Sequence, residues 1–417
     1  MNGGTLAYEE ALRIVLDASA RMPKQDCATS ACLGRVLAEP VVSHVELPPF
    51  DNSAMDGFAL SGDSSAVPAG SELTIEGEQA AGDGVSHARE GAWEIMTGAR
   101  MPDGLDRVIP VEQTERTGNA QCIKLLADVE SGQNVRRAGS DVGRGETILA
   151  AGTALAPQHL MLLAALGIPK VSVATRPRVA VLCTGRELVD DPATPLAAGQ
   201  IRNSNGPYLV ARLPLSGAEV VYAETVGDDA TAFESALRCA LEAGAQIVVT
   251  TGAVSMGRYD FVPQALENIG ATTLFHKVAI RPGKPLLFAQ LPNKALLFGL
   301  PGNPIAVAVG LRFFIEPALR VMLGLPPEAP RRIPLVASYS KKPRLRFHLK
   351  TRLHIDAEGR LGAEILGGQE SYRIRPLADA NAWAIVPADI DALPKGALVD
   401  VYGPSHFEFP LPCESVA

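Results

Sequence analysis

Two helices are predicted in the first half of the chain. In the first segment, apolar residues recur with helical spacing at Tyr8, Leu12, Val15 and Leu16. They predict a one-sided helix over about 5–20, and Thr5 can cap it. A second helix is predicted to begin at Pro157, which suits a first helical turn, and to end before Gly167. We expect the two helices to pack together.

Other periodicities dominate the rest of the chain. Residues 42–140 hold short β-like runs between turn clusters such as AAGDG and ERTGNA, which is typical of a small β domain. In residues 176–325, apolar runs that end in Gly-containing loops alternate with helical segments. This alternation predicts a mostly parallel sheet with helices on both faces. From residue 328 the pattern is all-β again and indicates a small barrel or sandwich.

We therefore predict an α/β multidomain protein. The expected parts are a discontinuous helical domain of residues 1–41 and 141–175, an inserted small β domain of residues 42–140, a mostly parallel α/β domain of residues 176–326, and a C-terminal β-barrel domain of residues 327–417.

The composition of the chain argues against several classes of function. The formal net charge of the 417-residue chain is -8, which argues against nucleic acid as a partner. The six cysteines form no CxxC pair and the seven histidines form no HxH or HxxxH pair, so neither suggests a zinc site. No apolar stretch is long enough to span a bilayer, and MNGGTLAYEE lacks the features of a signal peptide. We expect a cytoplasmic protein with no membrane partner.

Ligands of open parallel sheets bind outside the carboxyl ends of the strands. The loops expected there are CTGREL (183–188), TVGDD (225–229), TTGAVSMGRYD (250–260) and GLPGNP (299–304). In the third loop, the small residues Thr251, Gly252, Ser255 and Gly257 would let backbone N–H groups approach an anion. The loop has neither the Walker A nor the GxGxxG pattern, and a plain tight turn is an equal alternative.

Three acids share this expected rim. Carboxylates of Glu187, Asp228 and Asp260 beside a phosphate-binding loop would suit Mg²⁺, which prefers oxygen ligands. Each also has a structural interpretation. Asp260, and either Asp228 or Asp229, can cap a helix, and Glu187 can be an exposed acid in a first helical turn.

The segment FHKVAIRPGKPLLF carries the cations Lys277, Arg281 and Lys284. If Lys277 and Arg281 flank a strand, their even spacing places them on one face, where they would suit a multiply charged anion. The alternative is a solvated edge strand protected by its charges. In GLPGNP, Pro301 and Pro304 would fix the shape of a loop that serves either as a binding element or as a connector.

Three polar loops of the β insertion remain ambiguous from local chemistry. They are LPPFDNSAMDGFAL (47–60), with Asp56; IMTGARMP (95–102), with Thr97; and RRAGSD (136–141). Each can be a turn, or a polar loop that reaches into a neighbouring site.

FDNSAMDGFAL, IMTGARMP, GQNVRRAGSD, CTGRELV, TTGAVSMGRYDF, KVAIRPGKP and GLPGNP occur in one order along the chain. Together they resemble the MoeA family of molybdopterin molybdenumtransferases, which includes the gephyrin E domain. The resemblance is strong over about 5–325 and weaker over 328–410. It implies that the 176–326 domain is MogA-like and binds molybdopterin. It also implies an elongated homodimer whose active sites are lined by both subunits.

The resemblance implies a reaction and a set of site residues. Molybdate would be inserted into adenylylated molybdopterin, with Mg²⁺-dependent release of AMP, in molybdenum cofactor biosynthesis. Glu187, Asp228 and Asp260 would handle Mg²⁺ or the attacking water, and the TTGAVSMG loop would bind the pterin phosphates. Lys277, Arg281 and Lys284 would hold phosphate or molybdate, and Asp56 and Thr97 would close the cleft from the partner subunit. Pro301, Pro304 and Ser371 match further substrate-binding positions of the family.

The chain departs from the family pattern at three places. The phosphate loop commonly reads Gly-Gly-Val but is Gly252-Ala253-Val254 here, and Glu370 stands where the family often has glycine. The family's basic residue of the barrel is ambiguous in RLRFHLKTRL. The alternatives are a MogA-like molybdopterin adenylyltransferase and a non-catalytic pterin-binding paralogue. A MogA-like adenylyltransferase and molybdoenzyme-specific factors are the expected partners besides a second copy.

Overall fold

The computed structural model describes residues 4–62, 65–88, 90–118, 120–254, 261–342, 344–408 and 413–414. The chain forms two compact units. The large unit consists of Met1–Gln25, Gly34–Ala38 and Ser172–Ala417, and the small unit of Asp26–Leu33 and Glu39–Val171.

The α-helices are α1 (Tyr8–Ala18), α2 (Pro157–Ala165), α3 (Asn205–Leu215), α4 (Ala230–Glu242), α5 (Val262–Asn268), α6 (Pro304–Gly310), α7 (Glu316–Leu323) and α8 (Arg375–Asp379). A π-helical segment, Leu311–Ile315, joins α6 to α7. Short 3-10 helices cover Thr29–Ala31 and Val111–Gln113.

The strands up to the second helix are β1 (Lys24–Ala28), β2 (Val41–Val42), β3 (Asn52–Ser53), β4 (Gly57–Leu60), β5 (Glu72–Gln79), β6 (Ala92–Ile95), β7 (Arg107–Pro110), β8 (Thr114–Thr117), β9 (Cys122–Leu125), β10 (Val135–Arg136) and β11 (Thr147–Leu149). The remaining strands are β12 (Lys170–Ala174), β13 (Arg178–Thr184), β14 (Leu188–Val189), β15 (Ile201–Arg202), β16 (Glu219–Val226), β17 (Ile247–Thr251), β18 (Thr272–His276), β19 (Ile280–Arg281), β20 (Leu287–Gln290), β21 (Leu296–Leu300), β22 (Arg331–Pro334), β23 (Tyr339–Ser340), β24 (Arg346–Ile355), β25 (Leu361–Ile365), β26 (Ala382–Val386), β27 (Ala392–Leu393), β28 (Leu398–Tyr402) and β29 (Cys413–Glu414).

The central sheet of the large unit has the strand order β16-β13-β17-β21-β20-β18. The first four strands are parallel, and β20 and β18 add two antiparallel neighbours. β13, β17 and β21 are nearly continuous apolar runs because helices cover both faces of the sheet. One face packs under α1, α3 and the helices of 304–323, and the other under α4 and α5. The predicted mostly parallel sheet is therefore present.

The C-terminal part of the large unit is a seven-stranded mixed sheet built around β24. β24 pairs with β25 and β26 and also with β19, which belongs to the RPGKP segment. Its own core contains Ile333, Leu349, Leu353 and Val399. The segment DAEGR (356–360) is the hairpin connection between β24 and β25, where Gly359 has a φ of 78°.

Helix α1 begins later than the sequence predicts. Its N-cap is Ala7 and not Thr5, because Leu6 forms an isolated bridge with Val278 and its N–H donates to the carbonyl of Lys277 (3.1 Å). This long-range pairing holds residue 6 extended. α1 packs on the large unit, with the Tyr8 ring against Phe314 (5.4 Å between centroids).

The small unit contains α2, with the predicted bounds, and a six-stranded sheet of order β7-β4-β6-β5-β9-β8. Its core includes Phe58, Leu60, Ile109 and Ile123. The sequence predicts that α1 and α2 pack together, whereas the contacts place α1 in the large unit and α2 in the small unit. The division into four domains stays a prediction.

Candidate functional site

Two loops meet at the carboxyl edge of the parallel sheet. The N–H of Gly252 donates to the carbonyl of Leu300 (3.0 Å), which joins the loop after β17 to the loop after β21. Gly252 has a φ of 88°, and a Cβ there would lie 2.5 Å from the carbonyl oxygen of Thr184. Only glycine fits this position. Thr251, which precedes it, is buried, and its carbonyl accepts from the Thr184 hydroxyl (3.0 Å).

The next residues carry the departure from the family's usual phosphate loop. Ala253 has a φ of 50°, in the left-handed region that favours glycine. The carbonyl of Val254 is 2.6 Å from Nε2 of His276, so this histidine has a structural contact. The predicted site residues Ser255, Gly257 and Asp260 lie outside the described residues.

Glu187 and Asp228 lie on neighbouring loops at this edge. Gly185 donates its N–H to the carbonyl of Val226 (3.1 Å), and Arg186 donates its N–H to Oδ2 of Asp228 (3.4 Å). The Glu187 carboxylate lies over Gly185, where an added Cβ would come within 2.8 Å of Oε1. The two acids therefore flank the same turn.

The structure separates the alternatives for these acids. Asp229 and not Asp228 caps α4, because its Oδ1 accepts from the N–H of Ala232 (2.7 Å). Glu187 is not in a helix, since it is followed directly by β14. Among the described residues, no three His, Cys, Asp or Glu side chains form a metal-binding group, and the third predicted acid, Asp260, is not among them.

The cations do not lie on one face of a continuous strand. β18 ends at His276, Lys277 has a φ of 88°, and the chain pairs again at the isolated bridge of Val278 and then in β19. The prediction that Lys277 and Arg281 share one strand face is therefore wrong, because a left-handed residue breaks the two-residue period.

Several predicted substrate-binding residues line one cavity of about 370 Å³ in the large unit. Arg281, Lys284, Pro301 and Ser371 contribute to its wall, together with the backbone or side chains of Ile280, Pro282, Gly283, Pro285, Asn303, Ala306, Leu345, Gln369, Glu370 and Tyr372. We call it the cationic pocket. Pro304 begins α6 beside it, and Lys277 is not part of its lining. The edge-strand alternative also describes Arg281, because β19 stands at the end of the strand order of the C-terminal sheet, next to β24, and Arg281 is exposed.

The C-terminal sheet completes the cationic pocket. The Arg281 guanidinium lies 5.4 Å from the ring centroid of Phe347, a cation–π distance. The carbonyl of Ser371 accepts from the N–H of Ile305 (3.0 Å), which joins the 366–373 segment to the start of α6. Glu370 is paired with Arg373 at 3.2 Å, so the acid that replaces the family's glycine has a cationic partner.

Sequence reasoning missed two buried asparagines. Asn205, at the start of α3, donates from Nδ2 to the carbonyl of Gly302 (2.8 Å) and so holds the GLPGNP loop. Asn203 donates from Nδ2 to Asp190 (2.9 Å) and to the Thr225 hydroxyl (3.0 Å). The sequence signal for them is the polar run IRNSN directly before an apolar segment.

In the small unit the three polar loops come together. Oδ1 of Asp56 accepts from the N–H (2.6 Å) and from the hydroxyl (2.8 Å) of Thr97. These two hydrogen bonds lower the pKa of Asp56, which is fully exposed. β3 pairs with β10, and Oδ1 of Asp51 accepts from the N–H of Ala138 (2.8 Å). Asp56 and Thr97, predicted from different loops, thus form one pair.

The chain matches three family models in succession. They are the MoeA N-terminal region (domain I and II) over residues 6–167, a probable molybdopterin binding domain over residues 180–321, and the MoeA C-terminal region (domain IV) over residues 332–403. A molybdopterin molybdenumtransferase of Synechococcus elongatus is 36% identical over 405 residues, which are 95% of this chain and 99% of that protein. One of Bacillus subtilis is 33% identical over 408 residues, 95% of this chain and 93% of the relative.

The chain belongs to the MoeA family of molybdopterin molybdenumtransferases.

A solved structure of a MoeA protein from Pyrococcus horikoshii supports the same assignment. It has a TM-score of 0.81 and 28% sequence identity, and the match covers 95% of this chain and 99% of that one. The predicted resemblance to MoeA and the predicted α/β multidomain fold are both confirmed. Among the described residues, no helix has the length and apolar composition needed to cross a membrane.

Proposed function

We propose that this protein inserts molybdate into adenylylated molybdopterin and releases AMP, as a step of molybdenum cofactor biosynthesis. The observation that carries the proposal is the cationic pocket, which Arg281 and Lys284 of the RPGKP segment line together with Ser371, from the segment between β25 and α8. Two cations and a hydroxyl are suited to a tetrahedral oxyanion such as molybdate.

Contacts within the protein hold the walls of the cationic pocket. Asn205 fixes Gly302 next to Pro301, Phe347 supports Arg281, and Ile305 holds the carbonyl of Ser371. Preorganised donors lose little freedom when an anion binds, which favours affinity. In our proposal Lys277 contributes to the phosphate end of the substrate rather than to this pocket.

The acids at the carboxyl edge fit a magnesium ion by their donor chemistry. Glu187 and Asp228 offer hard carboxylate oxygens on neighbouring loops, and Mg²⁺ commonly takes one or two carboxylates together with phosphate oxygens and water. A bound Mg²⁺ would neutralise phosphate charge during cleavage of the phosphoanhydride. Glu187 and Asp228 would hold the ion or orient the attacking water, and we assign Asp260 to the same task.

The pterin phosphates are proposed to bind at the loop that begins with Thr251 and Gly252 and continues through Ser255 and Gly257. The close approach of Gly252 to Thr184 leaves this loop without side-chain bulk at its first turn. The N–H of Gly252 itself is donated to the Leu300 carbonyl, and we propose that backbone N–H groups further along the loop face the anion.

Asp56 and Thr97 are proposed to act together, because they share hydrogen bonds within one loop pair. We propose that the protein is a homodimer and that this pair serves the active site of the partner subunit. A MogA-like adenylyltransferase would supply the adenylylated substrate.

The test is an assay of AMP on the purified full chain with adenylylated molybdopterin and Mg²⁺. We expect AMP release that depends on added molybdate, and loss of this dependence in Arg281→Ala. Consumption of ATP with release of pyrophosphate would instead identify an adenylyltransferase. Binding of substrate without turnover would identify a non-catalytic pterin-binding protein. Either result would overturn the proposed function.

A further inference from the structure

Lys350 is a fully buried lysine in the middle of β24. Its Nζ donates to the carbonyl of Gly368 (2.6 Å) and to that of Arg373 (3.1 Å). A buried ammonium is costly unless it is hydrogen-bonded, and both acceptors belong to the segment 366–373, which we call the pocket wall. The pKa of Lys350 is lowered by burial, and the nearby Glu370 opposes this shift only in part.

Further hydrogen bonds join Lys350 and the pocket wall. The N–H of Lys350 donates to Oε1 of Gln369 (3.0 Å), and Nε2 of Gln369 donates to the carbonyls of Lys350 (2.9 Å) and Leu366 (2.7 Å). The N–H of Leu366 donates to the Lys350 carbonyl (3.0 Å). A segment without regular secondary structure from residue 366 to 373 is thus attached to a central strand at several points.

The pocket wall contributes Gln369, Glu370, Ser371 and Tyr372 to the cationic pocket, whereas Lys350 does not line it. The Lys350 ammonium therefore acts on residues that face the ligand without being one of them. At its other end the wall is attached to α6 through the Ser371 carbonyl and the N–H of Ile305. Loss of the Lys350 ammonium would leave two inward-facing carbonyls without their donor and would release the wall between these attachments.

We propose that Lys350 is a positioning residue of the oxyanion site, which holds the pocket wall and Ser371 in place opposite Arg281 and Lys284. The inference rests on the proposed function only in taking molybdate as the oxyanion. The ammonium also adds a positive charge in a poorly screened environment next to the pocket, which favours an anionic ligand. Precise placement matters because misplacement of a group by about 1 Å can lower the reaction rate roughly 100-fold.

The test compares Lys350→Met, which keeps the length of the side chain and removes its charge and donors, with Lys350→Arg. Calorimetric titration of the full chain with sodium molybdate should show a Kd that is roughly 10- to 100-fold higher for Lys350→Met and partly restored in Lys350→Arg. In the AMP assay the KM for molybdate should rise while kcat changes far less. Lys395→Met, at an exposed lysine of the same C-terminal region, is the control and should bind molybdate like the wild type.

Hydrogen–deuterium exchange of 366–373 shows whether the wall has been released. Faster exchange there with an unchanged Kd for molybdate would give Lys350 a purely structural role and overturn the inference, as would a lower kcat with an unchanged KM. If Lys350→Met does not fold, Gln369→Ala loosens the same wall, and an unchanged Kd in that variant overturns the inference. Wild-type protein that binds molybdate but releases no AMP would contradict the proposed function alone, because the Kd comparison still decides the role of Lys350.

Discussion

Two adjacent aspartates have different tasks at the start of α4. Asp229 accepts the N–H of Ala232 and so satisfies the first turn of the helix. Asp228 turns to the loop of Glu187, where it accepts the N–H of Arg186. The sequence alone leaves either residue as the cap, since both stand at the right distance from the helix. A substitution of Asp228 therefore tests the proposed chemistry, and a substitution of Asp229 is the structural control.

Asp228→Asn should lower the rate of AMP release roughly 100-fold, because a positioned acid or base contributes on that scale. The melting temperature should not fall. Asn keeps an acceptor for the N–H of Arg186 but loses the charge that would hold Mg²⁺. Asp229→Ala should show the opposite pattern, with the free energy of unfolding about 1 kcal/mol lower and normal AMP release from the folded protein. Equal loss of activity in both variants would remove the assignment of Asp228.

At the scale of the elements, the periodicity of the sequence predicts what is local and misses what is long-range. The bounds of α2 and the parallel strands follow from apolar spacing and turn residues, which act within a few positions. Leu6 is extended because of Val278, and Lys277 is left-handed between β18 and β19. The contact of Lys350 with the pocket wall joins a central strand of the C-terminal sheet to a segment outside the sheet. None of these contacts has a signature in a local window.

The order of the motifs along the chain favours a binding role for most of the candidate site residues, for which local chemistry leaves structural alternatives. Arg281, Lys284, Pro301 and Ser371 come from three parts of the chain and line one cavity. No spacing rule brings them together. Local chemistry offers Arg281, Lys284 and Pro301 as candidates with open alternatives, and Ser371 is expected from the resemblance to MoeA alone. Asn205 was missed because its role depends on a carbonyl 97 positions away in the chain.

The contact between Asn205 and Gly302 should support both stability and molybdate binding. Asn205→Ala removes one hydrogen bond and should lower the free energy of unfolding by about 1 kcal/mol. Asn205→Asp places an oxygen opposite the Gly302 carbonyl and should lower the free energy of unfolding by more, about 2 kcal/mol. It should also raise the Kd for molybdate more than Asn205→Ala does. The control is Asn293→Asp, which should be tolerated because Asn293 uses its Oδ1 as an acceptor for Ala295. Equal effects of Ala and Asp at position 205 would contradict this account.

At the scale of the molecule, a buried carboxyl links α7 to the end of α3 and to the segment that follows β28. Oε1 of Glu316 accepts from the Ser216 hydroxyl (2.7 Å), and Oε2 accepts from the N–H of His406 (3.0 Å). Burial raises the pKa of Glu316 from 4.5 to about 7, although Arg312 and Ser216 lower it. The folded protein thus binds the proton of Glu316 more tightly than the unfolded chain does.

Because the folded-state pKa is raised, the stability that Glu316 contributes is present below pH 4.5 and is lost as the pH rises through about 7. Glu316→Gln cannot ionise, so its free energy of unfolding relative to wild type should increase with pH by up to about 3 kcal/mol between these limits. Burial lowers the pKa of His406 to about 3, so protonation of His406 favours the unfolded chain at low pH. This effect is the same in the wild type and in Glu316→Gln and does not change the difference between them. Chemical denaturation at several pH values measures the difference, and a difference independent of pH would contradict the raised pKa.

The most direct test of the account is to locate molybdate in the protein itself. Crystals of the full chain soaked in sodium molybdate, measured near the molybdenum absorption edge, reveal the metal by its anomalous scattering. We expect the peak in the cationic pocket, between the side chains of Arg281, Lys284 and Ser371, and its loss in Arg281→Ala. A peak at another site with this pocket left empty would contradict the central claim that these three residues form the oxyanion site.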